Sequence, residues 1–514
     1  MSRRRFYLFL VMFVRRKPNK SGKVSVQVIE KIKGKYKVAK TFGSSSVESE
    51  VERLVSLAEE WIKDYKGTLD IPFNDEERIA DSVLESVENI TVSGTELLLD
   101  RVFNDIGFGV IKDDIFRWLV YSRLCFPASK LKTCDYLLTY HGLEFQVHDL
   151  YRYMDKLYSN YKEIIQLISF EHSKKILGGT INIVFYDVTT LYFEVDQEDE
   201  LRKTGFSKEG RHQNPQIVLG LLVGLEGYPL AYEIFEGNKF EGHTMIPVIE
   251  TFRKKYSLPA PIVVADSGLL SKSNIKGLLD NGYGFILGAR LKASSNKKKE
   301  QVLTLNLENG ESRFLDWEDE LRMVVSYSEK RAKKDRINRE KGIKKLDKQL
   351  KTGKLNKTHI NNRGYNKYLK MEGEIKIALD MEKFELDGKW DGLKGYITNT
   401  NLDKDQVIEN YNNLWKIEKA FRITKNEIKV RPVFHYKQRR IEAHISIAFV
   451  AYKVYKELER QLIEKGSKLS PQKAIEIAKG IYTVEILLKS SGKKLRKTLL
   501  LNESQQKLAK MFGF

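Results

Sequence analysis

The stretch INIVFYDVTTLYFE, residues 181–194, decides the fold. Its opening INIVFY reads as a buried strand: a short apolar run rich in branched and aromatic side chains. The run QIVLGLLVGLEGYPLAYEIFEGN, residues 216–238, adds two further strands, with Gly227 beside Tyr228 and Pro229 marking the turn between them. A helical run at about residues 244–255 precedes another strand, residues 261–265, which stops at Asp266-Ser267-Gly268. A further helix and the strand GFILGAR, residues 284–290, complete an alternation of strands and helices, the pattern of an α/β core with helices packed on a sheet.

Two aspartates stand out within this core. Asp187 follows INIVFY and Asp266 follows PIVVA, so each carboxylate is expected at the C-terminal edge of its strand, where open sheets assemble their sites. The competing reading is that each aspartate ends a strand or caps the next helix, above all Asp266 before Ser267-Gly268. A third acid comes from the helix expected from about Asp405. Tyr411, Glu418 and Lys425 are spaced by seven and fall near one face, with Arg422 one turn after Glu418. Leu414, Trp415, Ile417, Phe421 and Ile423 on the same helix require it to pack against the sheet as well. Three converging carboxylates form a hard-oxygen site suited to Mg²⁺, with Mn²⁺ as the alternative ion. Two such ions about 3.5–4 Å apart serve a phosphodiester displacement. Arg422 and Lys425 then neutralise incoming phosphates, while Tyr411 is either a DNA contact or a packing residue.

The rest of the chain supports a polyanionic partner. Its 514 residues, 41% of them hydrophobic, predict two to four packed units and exclude a disordered tail protein. Lys and Arg number 89 against 69 Asp and Glu, a net charge of +20. Such an excess favours phosphate, because each neutralised phosphate releases counterions. The charge is unevenly spread: residues 1–40 hold 13 bases and one acid, and residues 329–370 hold 16 bases and four acids. Between them, residues 44–114 hold 18 acids and six bases. The tract 329–370 reads as a long solvated helix or a flexible basic arm.

Cys125 and Cys134 are the only cysteines and the eight histidines are scattered, which excludes a zinc site or a disulfide framework. The apolar run Phe6 to Val14 is too short to span a bilayer and has no cleavage site after it, so the chain reads as cytosolic. Residues 24–42 alternate around Lys33-Gly34-Lys35 as a β-hairpin, and residues 48–65 have helical spacing. Helices continue to about residue 173, with Tyr136, Tyr140, Tyr151 and Tyr153 read as core. Residues 302–307 and 321–327 look β-like, GYITNT at 395–400 is a strand, and residues 441–458 form a buried helix.

Tyr411, Leu414, Glu418 and Lys425 together resemble the Tyr-Arg-Glu-Lys signature of bacterial insertion-sequence transposases of the DDE superfamily, with Leu414 in place of the arginine. Arg422 or Lys416 is the cation at hand to substitute. YDVTTLYFE (186–194) resembles the family's first-aspartate block and VVADSGLLS (263–271) its second. Residues 205–238 are similar to its hairpin region, residues 431–452 to its closing helical stretch, and residues 25–46 to one branch of it. The likeness runs from residue 181 to 458.

The resemblance implies a multidomain α/β protein whose ribonuclease-H-like catalytic domain is interrupted by a largely β insertion, with a β-containing N-terminal module and helical regions. Asp187, Asp266 and Glu418 become the DDE triad and the ligands of two metal ions. The 152 residues from Asp266 to Glu418 leave room for the insertion. The expected organisation is a basic module at 1–65, a helical DNA-end-binding region at 66–175, catalytic parts at 176–290 and 395–460, the insertion with its basic arm at 291–394, and a helical basic tail at 461–514. Such enzymes bind double-stranded DNA at terminal inverted repeats, cut it, and join 3′ hydroxyls to target DNA. Acting on two ends implies a homodimer on DNA, in the bacterial cytoplasm at the nucleoid. Trp317 reads as core or as a stack for an extruded base, and His444 as core or as a neighbour of the site. Two alternatives stay open: a catalytically silent DNA-binding derivative, and a metal-dependent nuclease without strand transfer.

Overall fold

Alternating residues in the N-terminal segment form two antiparallel strands, Val24–Ile32 and Lys35–Ser45, and a third strand, Val11–Pro18, pairs along the other side of the first. Val26 and Val28 are fully buried beneath the helix Glu48–Tyr65, which contributes Val51 and Ala58 to the same core. The computed structural model describes residues 11–32, 34–65, 75–207, 210–318, 321–372, 376–488 and 491–514. Lys33 of the hairpin turn and residues 6–10 of the N-terminal apolar run lie outside them. Among the described residues no helix is long and apolar enough to cross a membrane. The chain divides into two units, residues 1–88 with 485–495, and residues 89–484 with 496–514.

The second unit is built on an eight-stranded sheet. Its first three strands in chain order, Ile183–Tyr192, Gln216–Val223 and Pro229–Glu236, form an antiparallel meander. The fourth, Ile262–Ala265, lies parallel to the first on its other side, and the fifth, Phe285–Ala289, lies parallel to the fourth. Parallel neighbours need crossovers. These come through the helices Met245–Tyr256 and Lys272–Asp280. The spatial order 3-2-1-4-5 is the ribonuclease-H-like arrangement that the family resemblance implied.

Both sheet faces are covered, which is why the strands read as continuous apolar runs. Val184, Tyr186, Val263 and Ala265 face the core beneath Met245, Val248, Ile249 and Phe252. Phe185 and Val264 face the opposite core, with Ile417, Ala420 and Phe421 and the helix Gln438–Glu464. That last helix is buried almost throughout from Ile441 to Leu458.

Residues 291–394 depart from a largely β insertion. Two of their strands, Arg322–Tyr327 and Ser312–Asp316, extend the main sheet antiparallel beyond Leu393–Thr398 and the fifth strand. The remainder is led by helices. Glu329–Lys351 runs for 23 residues and, with Met381–Gly388, packs on the short hairpin of Leu369–Glu372 and Lys376–Leu379 around Leu346, Tyr368 and Leu369. The helical option for the basic tract therefore holds for its first half. Residues 302–307, expected as β, instead end the helix Asn296–Leu303, which Ser295 starts by accepting from the Lys298 amide at 3.4 Å.

Other readings shift more modestly. The helix expected from Asp405 is two helices, Lys404–Asn412 and Trp415–Asn426. Bonds of the tighter i→i−3 kind, Leu414 N to Tyr411 O at 3.0 Å and Lys416 N to Asn413 O at 2.9 Å, turn the chain between them. Residues 461–514, read as helical, hold the helices Pro471–Ala478 and Glu503–Phe512 with two strands between, Tyr482–Leu488 and Lys493–Leu499. Of the four tyrosines read as core, Tyr153 is buried, whereas Tyr140 is exposed and Tyr136 stacks on Phe126 at 4.8 Å.

Candidate active site

The parallel ladder between the first and fourth strands ends on the pair Tyr186 and Ala265. The next residue on each strand is an aspartate, so Asp187 and Asp266 leave the ladder in register. Side chains alternate along a strand. Asp187 thus shares a face with Phe185, the face on which the helix Trp415–Asn426 packs through Ile417 and Phe421. Asp187 does not end its strand as expected. The strand runs on to Tyr192 because its antiparallel partner Gln216–Val223 continues, placing Asp187 opposite Leu221. Asp187 Oδ1 accepts from the Val188 amide at 2.7 Å.

Asp266 is exposed and closes a tight turn, its Oδ1 accepting from the amides of Gly268 at 2.8 Å and Leu269 at 3.3 Å. A side chain at Gly268 would put its Cβ 2.9 Å from that oxygen, so any larger residue there would push the Asp266 carboxylate aside. The next helix starts only at Lys272, capped by Ser271. The capping alternative for Asp266 is thus met by the turn and not by the helix. Oδ2 of Asp266 makes no hydrogen bond among the described residues. Arg290, directly after the fifth strand, braces the turn by donating to the carbonyls of Ser267 at 2.8 Å and Gly268 at 3.1 Å.

Tyr411 sits over the fifth strand. Its ring meets Tyr396 edge-on at 4.8 Å, Lys394 Nζ lies 4.4 Å from its centre, and its hydroxyl occupies the space a side chain at Gly288 would need. Burial, then the charge of Asp266, then Tyr396, pushes this hydroxyl well above the usual phenol range, with Glu418 adding in the same direction and Arg331 opposing. Asp266 and Glu418 therefore act on one hydroxyl from different elements. Burial and Arg331 together push the Lys394 ammonium down, while Glu418, exposed on the first turn of its helix, pulls it up.

The three acids are carboxylates without a histidine or cysteine among them, a donor set that fits a hard divalent cation. Among the described residues no three acidic, histidine or cysteine side chains already converge as a metal cage. Arg290, Lys292, Arg331 and Lys394 surround a neighbouring cleft of about 280 Å³. Sequence reading passed over these four cations. The one local signal was Arg290 at the end of GFILGAR.

The other singled-out residues lie elsewhere. Arg422 is exposed one turn after Glu418 on the same helix, and its charge acts on Tyr455, beside Glu427 and Glu459. Lys425 is half-buried in the last turn of the same helix. Leu414, where the signature has arginine, is a core residue, and Lys416 donates to Glu226 at 2.8 Å. Trp317 packs against the sheet core with Lys298 over its ring at 4.9 Å. His444 is buried, its Nε2 2.9 Å from the Val430 carbonyl.

Residues 178–453, which contain all three acids, match the family model described as transposase DDE domain. Among solved structures, the chain is similar to the piggyBac transposase synaptic complex with hairpin DNA at 11% identity, covering 75% of this chain and 76% of that one, with a TM-score of 0.39. No curated protein matches the chain.

Proposed function

Because the chain belongs to the transposase DDE domain family, we propose that it is an insertion-sequence transposase that binds the ends of its element, cleaves them and joins the 3′ hydroxyls to target DNA. The observation that carries this reading is the register of Asp187 with Asp266 on the sheet face where the Glu418 helix packs. Asp187, Asp266 and Glu418 would hold divalent metal, Mg²⁺ or Mn²⁺. A bound pair of such ions activates the attacking oxygen and stabilises the leaving one.

The chain's own residues position the reaction. Arg290 fixes the turn that presents Asp266. Lys394 and Arg331 offset the charge of a phosphate brought beside three carboxylates. Tyr411 holds its helix against the fifth strand at Gly288. Lys425 and Arg422 contact the DNA backbone, and the basic helix Glu329–Lys351 follows the duplex with the exposed Lys333, Lys334 and Arg336. Two protomers, one for each element end, make a homodimer the working assembly.

Incubation with DNA carrying the flanking inverted repeats and Mg²⁺ tests the proposal. Nicked ends and joined products, both lost on chelation, are expected. Nicking without joining would make the protein a nuclease, and specific binding without nicking a silent derivative.

A further inference from the structure

A second site lies away from the three acids, in a cavity of about 200 Å³. It forms where the end of the helix Asp114–Cys125, the start of the helix Lys130–His141 and the loop 429–435 meet. Its wall carries Arg123, Lys130, Lys429 and Arg431, and no carboxylate. Arg123 is 7% exposed and Lys130 4%, and among the described residues neither has a hydrogen-bond or ion-pair partner. Burying an unpaired charge is expensive, and native proteins pair such groups or let a ligand pair them. An arginine has no ready escape by losing its proton.

Two further features face the same space. His444, 5% exposed, also lines the wall, its ring fixed by the contact of Nε2 with the Val430 carbonyl at 2.9 Å. Ala128, Ser129 and Lys130 bring the N-terminus of a 12-residue helix to the wall, where its dipole adds positive potential. The volume is below the roughly 300 Å³ at which pockets for drug-sized ligands begin. It suits a small ion. At the rim Phe434 is 62% exposed, a free face for a base attached to such an ion.

We infer that this cavity is an oxyanion site whose ligand is a phosphate group, held by Arg123 and Lys130 with Lys429 at the mouth. The inference does not depend on the transposase reading, because none of the three acids lines the cavity. Inorganic phosphate and the terminal phosphate of a DNA strand share this chemistry, and the experiment separates them.

The full chain is melted in phosphate and in chloride at equal ionic strength, and phosphate binding is titrated by calorimetry. Phosphate is expected to raise the melting temperature of the wild type. The double variant Arg123→Met, Lys130→Met should melt higher than wild type in chloride, having lost two buried basic groups without partners among the described residues, and gain nothing from phosphate. Lys429→Gln, an exposed position that keeps the fold, should weaken phosphate binding about tenfold, the loss of one charge-assisted hydrogen bond. Lys239→Gln, exposed elsewhere, should change nothing. If a 5′-phosphorylated oligonucleotide displaces phosphate and its 5′-hydroxyl counterpart does not, the occupant is a DNA end. If neither displaces it, the occupant is the free ion. A phosphate effect no larger than that of chloride, or one undiminished in Lys429→Gln and in the double variant, overturns the inference.

Discussion

Gly288→Ala probes the joint that holds the site together. A Cβ at this position would lie 2.3 Å from the Tyr411 hydroxyl, 3.1 Å from its Cζ and 3.0 Å from the Ser267 amide, where ordinary contact begins at 3.4 Å. The hydroxyl must retreat by about 1 Å, yet the Tyr411 ring is held between Tyr396 and Lys394. The Ser267 amide is backbone and moves only with the Asp266 turn. Overpacking of this kind costs about 1–3 kcal/mol, and a backbone neighbour places it toward the upper end. Tyr411→Phe removes the closest atom. The hydroxyl makes no hydrogen bond among the described residues, so that change alone should cost under about 1 kcal/mol. Combining the two should recover about 1 kcal/mol relative to their sum. Hydrogen exchange of peptides covering residues 285–289 and 396–411 reads these opening free energies without assuming that the whole chain unfolds in one step. Unchanged exchange in Gly288→Ala, or strict additivity in the double variant, would refute the packing described for Tyr411.

Two further outcomes follow from the basic half of the molecule. Asp387 is partly buried, which would raise its carboxyl, but hydrogen bonds from Lys367 and Tyr368 and the nearby Lys292 hold it down to about 2, against an ordinary 3.8. A depressed carboxylate stabilises the fold above its unfolded value, and that contribution fades as pH falls through the folded one. Pepsin cutting within residues 364–391 should therefore rise as pH drops from 3.8 toward 2, and Asp387→Asn should already be cut at the upper end of that range. Identical cutting of both proteins throughout would contradict the assignment. Changing Lys333, Lys334 and Arg336 to Gln should flatten the dependence of log affinity for DNA on log salt by about 0.9 for each phosphate that is no longer neutralised. An unchanged slope would mean this helix does not meet phosphate.

The place of Asp266 directly after its strand was legible because an apolar run that stops at a carboxylate is a local signal, whereas the same signal misplaced Asp187 at the end of a strand. How far the first strand continues was not legible, since its antiparallel partner and not its own pattern carries it to Tyr192. VLTLNL at residues 302–307 alternates as a strand would, but only Val302 is buried, at the end of a helix started by Ser295. The basic tract could be read two ways. Ile343, Leu346 and Leu350 at helical spacing anchor its first half to the small core around Tyr368. The spacing of seven from Tyr411 through Lys425 assumed one helix, and the turn at Asn413 and Leu414 separates Tyr411 from the rest. Arg290, Arg331 and Lys394 are far apart in the chain and meet only because the sheet is extended past the fifth strand. No local pattern carries that information. Leu414 shows the reverse case, in which a residue singled out by the resemblance to a signature is simply part of the core.

The most direct measurement is Mg²⁺-dependent cleavage of end-bearing DNA by Asp187→Asn, Asp266→Asn and Glu418→Gln, with DNA affinity measured on the same preparations. Loss of cleavage in all three, with affinity close to wild type, is the result expected of three carboxylates that act together on one phosphodiester. Undiminished cleavage by any one of them would contradict that assignment.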